Sequence, residues 1–200
     1  GLTTGDANTY LGYNAGKSTT TYSGNTVVGY LAMSGTSPGA SNVAVGYKAM
    51  MCPTGLGFSN NNPVQSVAIG YEALTAVSTG DNNVAVGFQA MSGSALAGNN
   101  NVAVGMQAGK VLQGAAHSNT FIGTESGFDI TTGDSNVLLG YQAGDNASTL
   151  GNSIGIGYQS LGGANATLLT GANASVAIGY QAAGNASGNW GNGVYIGYLT

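Results

Sequence analysis

Apolar residues along this chain come in short alternating triplets, each opened by Asn or Ser and closed by Gly. Asn83-Val84-Ala85-Val86-Gly87-Phe88-Gln89-Ala90 is a clear copy. The closing glycine recurs at Gly12, Gly29, Gly46, Gly70, Gly87, Gly105, Gly123, Gly140, Gly157, Gly179 and Gly197, with gaps of 17, 17, 24, 17, 18, 18, 17, 17, 22 and 18. A period this regular is the signature of a stacked array. Seventeen residues are too few for a strand, a crossover helix and a return, but enough for short strands and turns that close one coil. The pattern therefore predicts an all-β parallel solenoid of about eleven coils of 17–18 residues. Rungs about 4.8 Å apart would make it roughly 50 Å long.

Each column of the repeat has its own chemistry. The first is Asn or Ser in every copy but one, where Gly193 stands, and such side chains bond nearby backbone or form ladders between stacked coils. The second is β-branched throughout (Thr9, Thr26, Val43, Val67, Val84, Val102, Thr120, Val137, Ile154, Val176, Val194) and the fourth is always aliphatic. Residues two apart on a strand face the same way. The third column, mostly Ala, faces the other side. Small polar residues would suit that side if it met water, so both faces are expected to be buried. The β-branched columns are assigned to the inside of the coil. The third column (Ala44, Ala68, Ala85, Ala103, Phe121, Leu138, Ala177) is assigned to an interface with sister chains. The closing Gly suits a positive φ or a close backbone approach at a corner. The Tyr that usually follows suits stacking at that corner more than a sugar-binding ladder.

Two gaps are long. Insertions at 51–65 and 162–174 interrupt an otherwise single domain spanning 1–200, and they bring Leu56, Phe58, Leu168 and Leu169 into polar surroundings. A last spacer carries the lone tryptophan, Trp190. Insertions in a solenoid collect on one face, so these five residues are the candidate surface-binding loops. The best helical stretch, 106–116, is spoiled by Gly109 and Gly114, so almost no helix is expected.

Composition narrows the function. Only 5% of residues are charged, there is no Arg, and the net charge is −4, which argues against phosphate-backbone binding. Polar amides and hydroxyls carry the solubility instead, as in an assembled extracellular or virion-surface structure. The one cysteine, Cys52, permits no intrachain disulfide. No apolar run is long enough for a membrane span.

The residues that look like chemistry lack partners. Gly12-Tyr13-Asn14-Ala15-Gly16-Lys17-Ser18 is one residue short of a phosphate loop. The matches to Gly-x-Ser-x-Gly at 35–39 and 151–155 lack a strand-to-helix setting. His117 is the only histidine. Asp6, Asp81 and Asp134 share a Thr-Gly-Asp-x-Asn context that suits turns more than calcium. The sequons at Asn146, Asn165, Asn173 and Asn185 fall in Asn- and Ser-rich spacers. No catalytic residue, cofactor or metal site is expected, and the chain does not read as an enzyme.

The unit Asn-Val-Ala-Val-Gly-Tyr-x-Ala resembles the repeats of YadA-type trimeric adhesin heads and the similar arrays in phage tail fibres, over nearly the whole chain. Its period of 17–18 is longer than that of the adhesin heads and leans toward the phage type. The resemblance implies a left-handed parallel β-roll, a homotrimer, and a structural or adhesive role as a rigid shaft or head facing a cell-surface glycan or matrix receptor. A filament subunit stacking head to tail, a homopolymer, is one alternative. A glycan- or ice-binding solenoid is another, and against ice binding stand the few threonines of the second column, at 9, 26 and 120, assigned inward.

Overall fold

A computed structural model describes residues 5–17, 21–35, 39–52, 63–93, 95–162, 174–184 and 192–199. Eleven three-residue strands, β1 (Thr9–Leu11), β2 (Thr26–Val28), β3 (Val43–Val45), β4 (Val67–Ile69), β5 (Val84–Val86), β6 (Val102–Val104), β7 (Thr120–Ile122), β8 (Val137–Leu139), β9 (Ile154–Ile156), β10 (Val176–Ile178) and β11 (Val194–Ile196), form one parallel sheet in sequence order. Every pairing joins equivalent repeat positions, as in Val67↔Val84, Ala68↔Ala85 and Ile69↔Val86. The chain is a parallel β-solenoid, and no helix occurs among the described residues.

Hydrogen bonding does not stop where the strands stop. Past the corner, Gln89 N–H donates to Tyr71 O at 2.8 Å and Met91 N–H to Ala108 O at 2.9 Å; before the strand, Asn100 N–H donates to Asp81 O at 3.0 Å. Much of each coil's perimeter is thus laddered to its neighbours, which satisfies backbone groups that a three-residue strand alone would leave open. The closing glycines answer both demands read from the sequence. Gly87 has φ 136°, and a Cβ there would collide with the carbonyl of Gly105 on the next coil.

The inside of the coil is where the structure departs from the sequence reading. Ala44, Ala68, Ala85, Ala103, Phe121, Leu138 and Ala177 have no exposed surface within the single chain. They line their own coil and cannot be an interface between chains, so that assignment is reversed. The β-branched columns point outward, with Ile69 40% and Ile122 43% exposed. The physical reason is width. A thin coil has room inside for one small side chain per strand when the opposite wall also contributes. That wall supplies buried Ala73, Ala90, Ala108 and Ala143 four residues past the strand, and Leu74 or Met91 one residue later.

The two walls compensate in volume. Small Ala68 and Ala85 share their coils with Leu74 and Met91, whereas large Phe121 and Leu138 share theirs with Gly127 and Gly144. A Cβ on Gly127 would lie 2.9 Å from Cδ1 and Cε1 of Phe121, and one on Gly109 of the preceding coil 2.8 Å from its Cδ2. Gly155, in the strand itself, shares its coil with Leu161. The balance is not kept inside every coil: Ala103 shares its coil with Gly109, and the Phe121 ring of the next coil reaches over that glycine, so neighbouring coils fill the space together, as close packing requires.

Candidate functional site

Three ladders run along the solenoid, and they absorb most residues that could have carried chemistry. The first is the buried amide column. Asn119 Nδ2 donates to Asn101 Oδ1 (3.0 Å) and to Gly133 O (2.7 Å), while Asn119 Oδ1 accepts from the Asn136 backbone N–H (3.0 Å) and from Asn136 Nδ2 (2.9 Å). Ser153 continues the column in reduced form, its backbone N–H donating to Asn136 Oδ1 at 3.1 Å and its Oγ accepting from Ser175 N–H at 3.3 Å. This is the expected ladder, and it explains why Asn or Ser stands there in every coil but the one with Gly193. A buried position between coils needs an acceptor for the next backbone N–H.

The second ladder runs two residues before the first. Val64 N–H donates to Asp81 Oδ1 (3.0 Å), Asp81 N–H to Asn99 Oδ1 (2.7 Å), Asn99 N–H to His117 Nδ1 (3.0 Å) and His117 N–H to Asp134 Oδ1 (2.6 Å). The turn carboxylates and the lone histidine are therefore rungs of one structural column. Nδ1 of His117 is used as an acceptor, so that nitrogen is not free to bind a metal. Ser153, in one Gly-x-Ser-x-Gly match, is likewise occupied, with Oγ donating to Gly151 O at 2.9 Å. Cys52 is buried, its Sγ 3.9 Å from Val77 O.

The third feature is an aromatic column at the corner after the glycine. Tyr13, Tyr30, Tyr47, Tyr71 and Phe88 stack with ring centroids 5.0–5.3 Å apart. Tyr141, Tyr158, Tyr180 and Tyr198 form a second run at 4.9–5.3 Å. Met106 and Thr124 stand between the runs, held in the same column by the bonds Gln107 N–H to Phe88 O, Glu125 N–H to Met106 O and Gln142 N–H to Thr124 O. The rings cover one another's faces and leave their edges half-exposed, which is the corner stacking read from the sequence. Beside them, glutamine side chains run Gln181→Gln159→Gln142→Glu125 and Gln107→Gln89→Glu72, donor to acceptor.

One hollow of about 270 Å³ is lined by Glu125, Phe128, Asp129, Gln142, Asp145 and Asn146. The Asn146 N–H is shared between Asp129 Oδ2 (3.3 Å) and Asp145 Oδ1 (3.0 Å). Burial, reinforced by the charge of Asp129, pushes the Asp145 carboxyl up to about 6. Lys110 Nζ lies 5.2 Å above the Phe128 ring at its edge. Among the described residues, no group of three or more His, Cys, Asp or Glu is arranged to hold a metal ion.

A further surface is the outer sheet face itself. Two aliphatic columns, second and fourth, run side by side across all eleven strands. Val104, Ile154, Ile156 and Ile178 join Ile69 and Ile122 among its exposed members, and Thr9, Thr26 and Thr120 also lie on it. The inward placement expected for those threonines is thus corrected, although three in a column of Val and Ile leave the face predominantly aliphatic. The loop residues Leu56, Phe58, Leu168, Leu169 and Trp190, with three of the four sequons, lie outside the described residues. Comparison with models of known families, with curated proteins and with solved structures returns no match. Among the described residues no helix is long and apolar enough to cross a membrane.

Proposed function

We propose that the protein is a structural segment of an extracellular or virion-surface fibre, a rigid left-handed rod that assembles as a homotrimer through its outer sheet face and presents its insertions to host or matrix surfaces. The observation that carries this reading is the pair of predominantly aliphatic columns that run the length of that face, with members such as Ile122 and Ile178 more than a third exposed. Scattered apolar residues on a surface are ordinary, but a contiguous apolar strip the length of a domain marks an association surface. A sister chain supplies an identical strip of matching pitch. The near absence of charge on the strands fits a face that is desolvated on assembly. The ladders supply stiffness, because each coil is bonded to the next around much of its perimeter.

Native mass measurement of the wild type and of the double variant Val86→Asp/Ile122→Asp tests this. The wild type is expected at three times the chain mass, and the variant at one, with its β-sheet circular dichroism retained because both side chains point outward. A folded wild-type monomer at micromolar concentration would refute the reading.

A further inference from the structure

The two tyrosine runs carry an inference that does not depend on the oligomer. We propose that they are sites of oxidative cross-linking, in which peroxide-driven coupling joins tyrosines of successive coils into dityrosine and staples the rod along its axis. The geometry provides three of the conditions for this. First, the phenols are adjacent in space though far apart in sequence: Tyr13, Tyr30, Tyr47 and Tyr71, then Tyr141, Tyr158, Tyr180 and Tyr198, are separated by 17, 17, 24, 17, 22 and 18 residues yet stack at 4.9–5.3 Å.

Second, the rings are nearly parallel, with interplanar angles of 5–17°. Rings related almost by pure translation hold each Cε near its counterpart at about the centroid spacing, so a tilt of both rings about their side-chain torsions brings the two Cε atoms together. Third, the ring edges are open. Tyr30, Tyr47, Tyr71, Tyr141, Tyr158 and Tyr180 are 39–45% exposed, enough for an oxidant to reach the phenol and for the rings to move.

The chemistry balances with one peroxide per link. A haem peroxidase using hydrogen peroxide removes one hydrogen atom from each phenol, and the peroxide is reduced to two waters. The two phenoxyl radicals join by a new carbon–carbon bond between the Cε atoms ortho to their oxygens. The hydrogens on those carbons then pass through solvent to the oxygens, which restores two phenols, and the product has lost two hydrogens overall.

The same geometry sets where links do not form. Phe88 has no hydroxyl, and Met106 and Thr124 separate the runs, so no link should span from Tyr71 to Tyr141. Tyr10 and Tyr195 belong to the interior column of β1 and β11, and Tyr22 lies outside the corner column, so these three should stay uncoupled.

The test treats the full chain at low concentration with horseradish peroxidase and hydrogen peroxide. Dityrosine is read by its fluorescence and the linked peptides by mass spectrometry, with a guanidinium-unfolded sample alongside. The folded chain is expected to link only tyrosines one coil apart. Tyr158→Phe removes two of the six tyrosine–tyrosine junctions, 141–158 and 158–180, so the yield should fall by about one third. The proposal is overturned if the folded chain yields no more dityrosine than the unfolded one. Links at Tyr10, Tyr22 or Tyr195 as frequent as those in the runs would overturn it too.

Discussion

Gly127 tests the volume compensation inside the coil, on which the whole inside-out assignment of the strand rests. Replacing it with Ala puts a Cβ 2.9 Å from Cδ1 and Cε1 of Phe121 and 3.0 Å from Cγ, with the backbone at φ 64°. Two costs add. Forcing a methyl into the ring's space is an overpacking of about 1–3 kcal/mol. Holding an L-residue in the left-handed region costs about 1–2 kcal/mol, offset by about 0.5–1 kcal/mol because Ala loses less backbone freedom than Gly on folding. The net expectation is a loss of roughly 2–4 kcal/mol for Gly127→Ala alone. In a Phe121→Ala background the clash disappears and only the conformational part remains, about 1 kcal/mol. That background resembles coils that already exist, since Met91 opposite Ala85 and Ala183 opposite Ala177 both sit at positive φ.

The two single variants and the double variant are to be compared with wild type by urea denaturation at one fixed protomer concentration, because any self-association would otherwise enter the midpoint. A double-mutant cycle should give a coupling energy of about 1–3 kcal/mol between the two sites. Effects that add to within about 0.5 kcal/mol would mean that the Phe121 ring does not occupy the space above Gly127, and that the third column does not face inward.

Two further outcomes follow from the ladders and the hollow. Asn119→Asp removes two donated bonds and sets a buried carboxylate against Asn101 Oδ1 and Gly133 O, both acceptors; it should lower stability by about 3–5 kcal/mol in denaturation, whereas an effect below 1 kcal/mol would contradict the amide ladder. Asp145 has its folded-state value raised to about 6 from an ordinary 3.8, so its contribution to stability is full below pH 3.8 and is lost as pH rises through 6; the melting temperature of wild type relative to Asp145→Asn should therefore decline across that window, and a constant difference would refute the assignment.

The periodicity alone determined a good deal. Eleven triplets at a near-constant spacing specify eleven parallel strands, and equivalent columns specify the register, because only in-register stacking lets Asn119 meet Asn101 and Tyr30 meet Tyr47. The corner glycines and the stacking tyrosines were legible for the same reason: a repeated position in a stack has the same neighbour in every coil. His117 was legible as a spacer residue and Asp134 as a turn residue, but their membership of one backbone-accepting column was not, since nothing in the sequence marks which side chain receives which N–H.

Alternation could say only that Ala85 and Val86 face opposite ways. Which of them is inside depends on what stands across the coil, and that partner lies six residues away around two turns. Once Met91 is seen opposite Ala85, and Gly127 opposite Phe121, the answer follows from volume: the two walls together must fill one narrow space, so the variable, compensating column is the interior and the mostly β-branched columns are left outside. The compensation is written in the sequence, but only the closure of the coil shows which positions compensate each other.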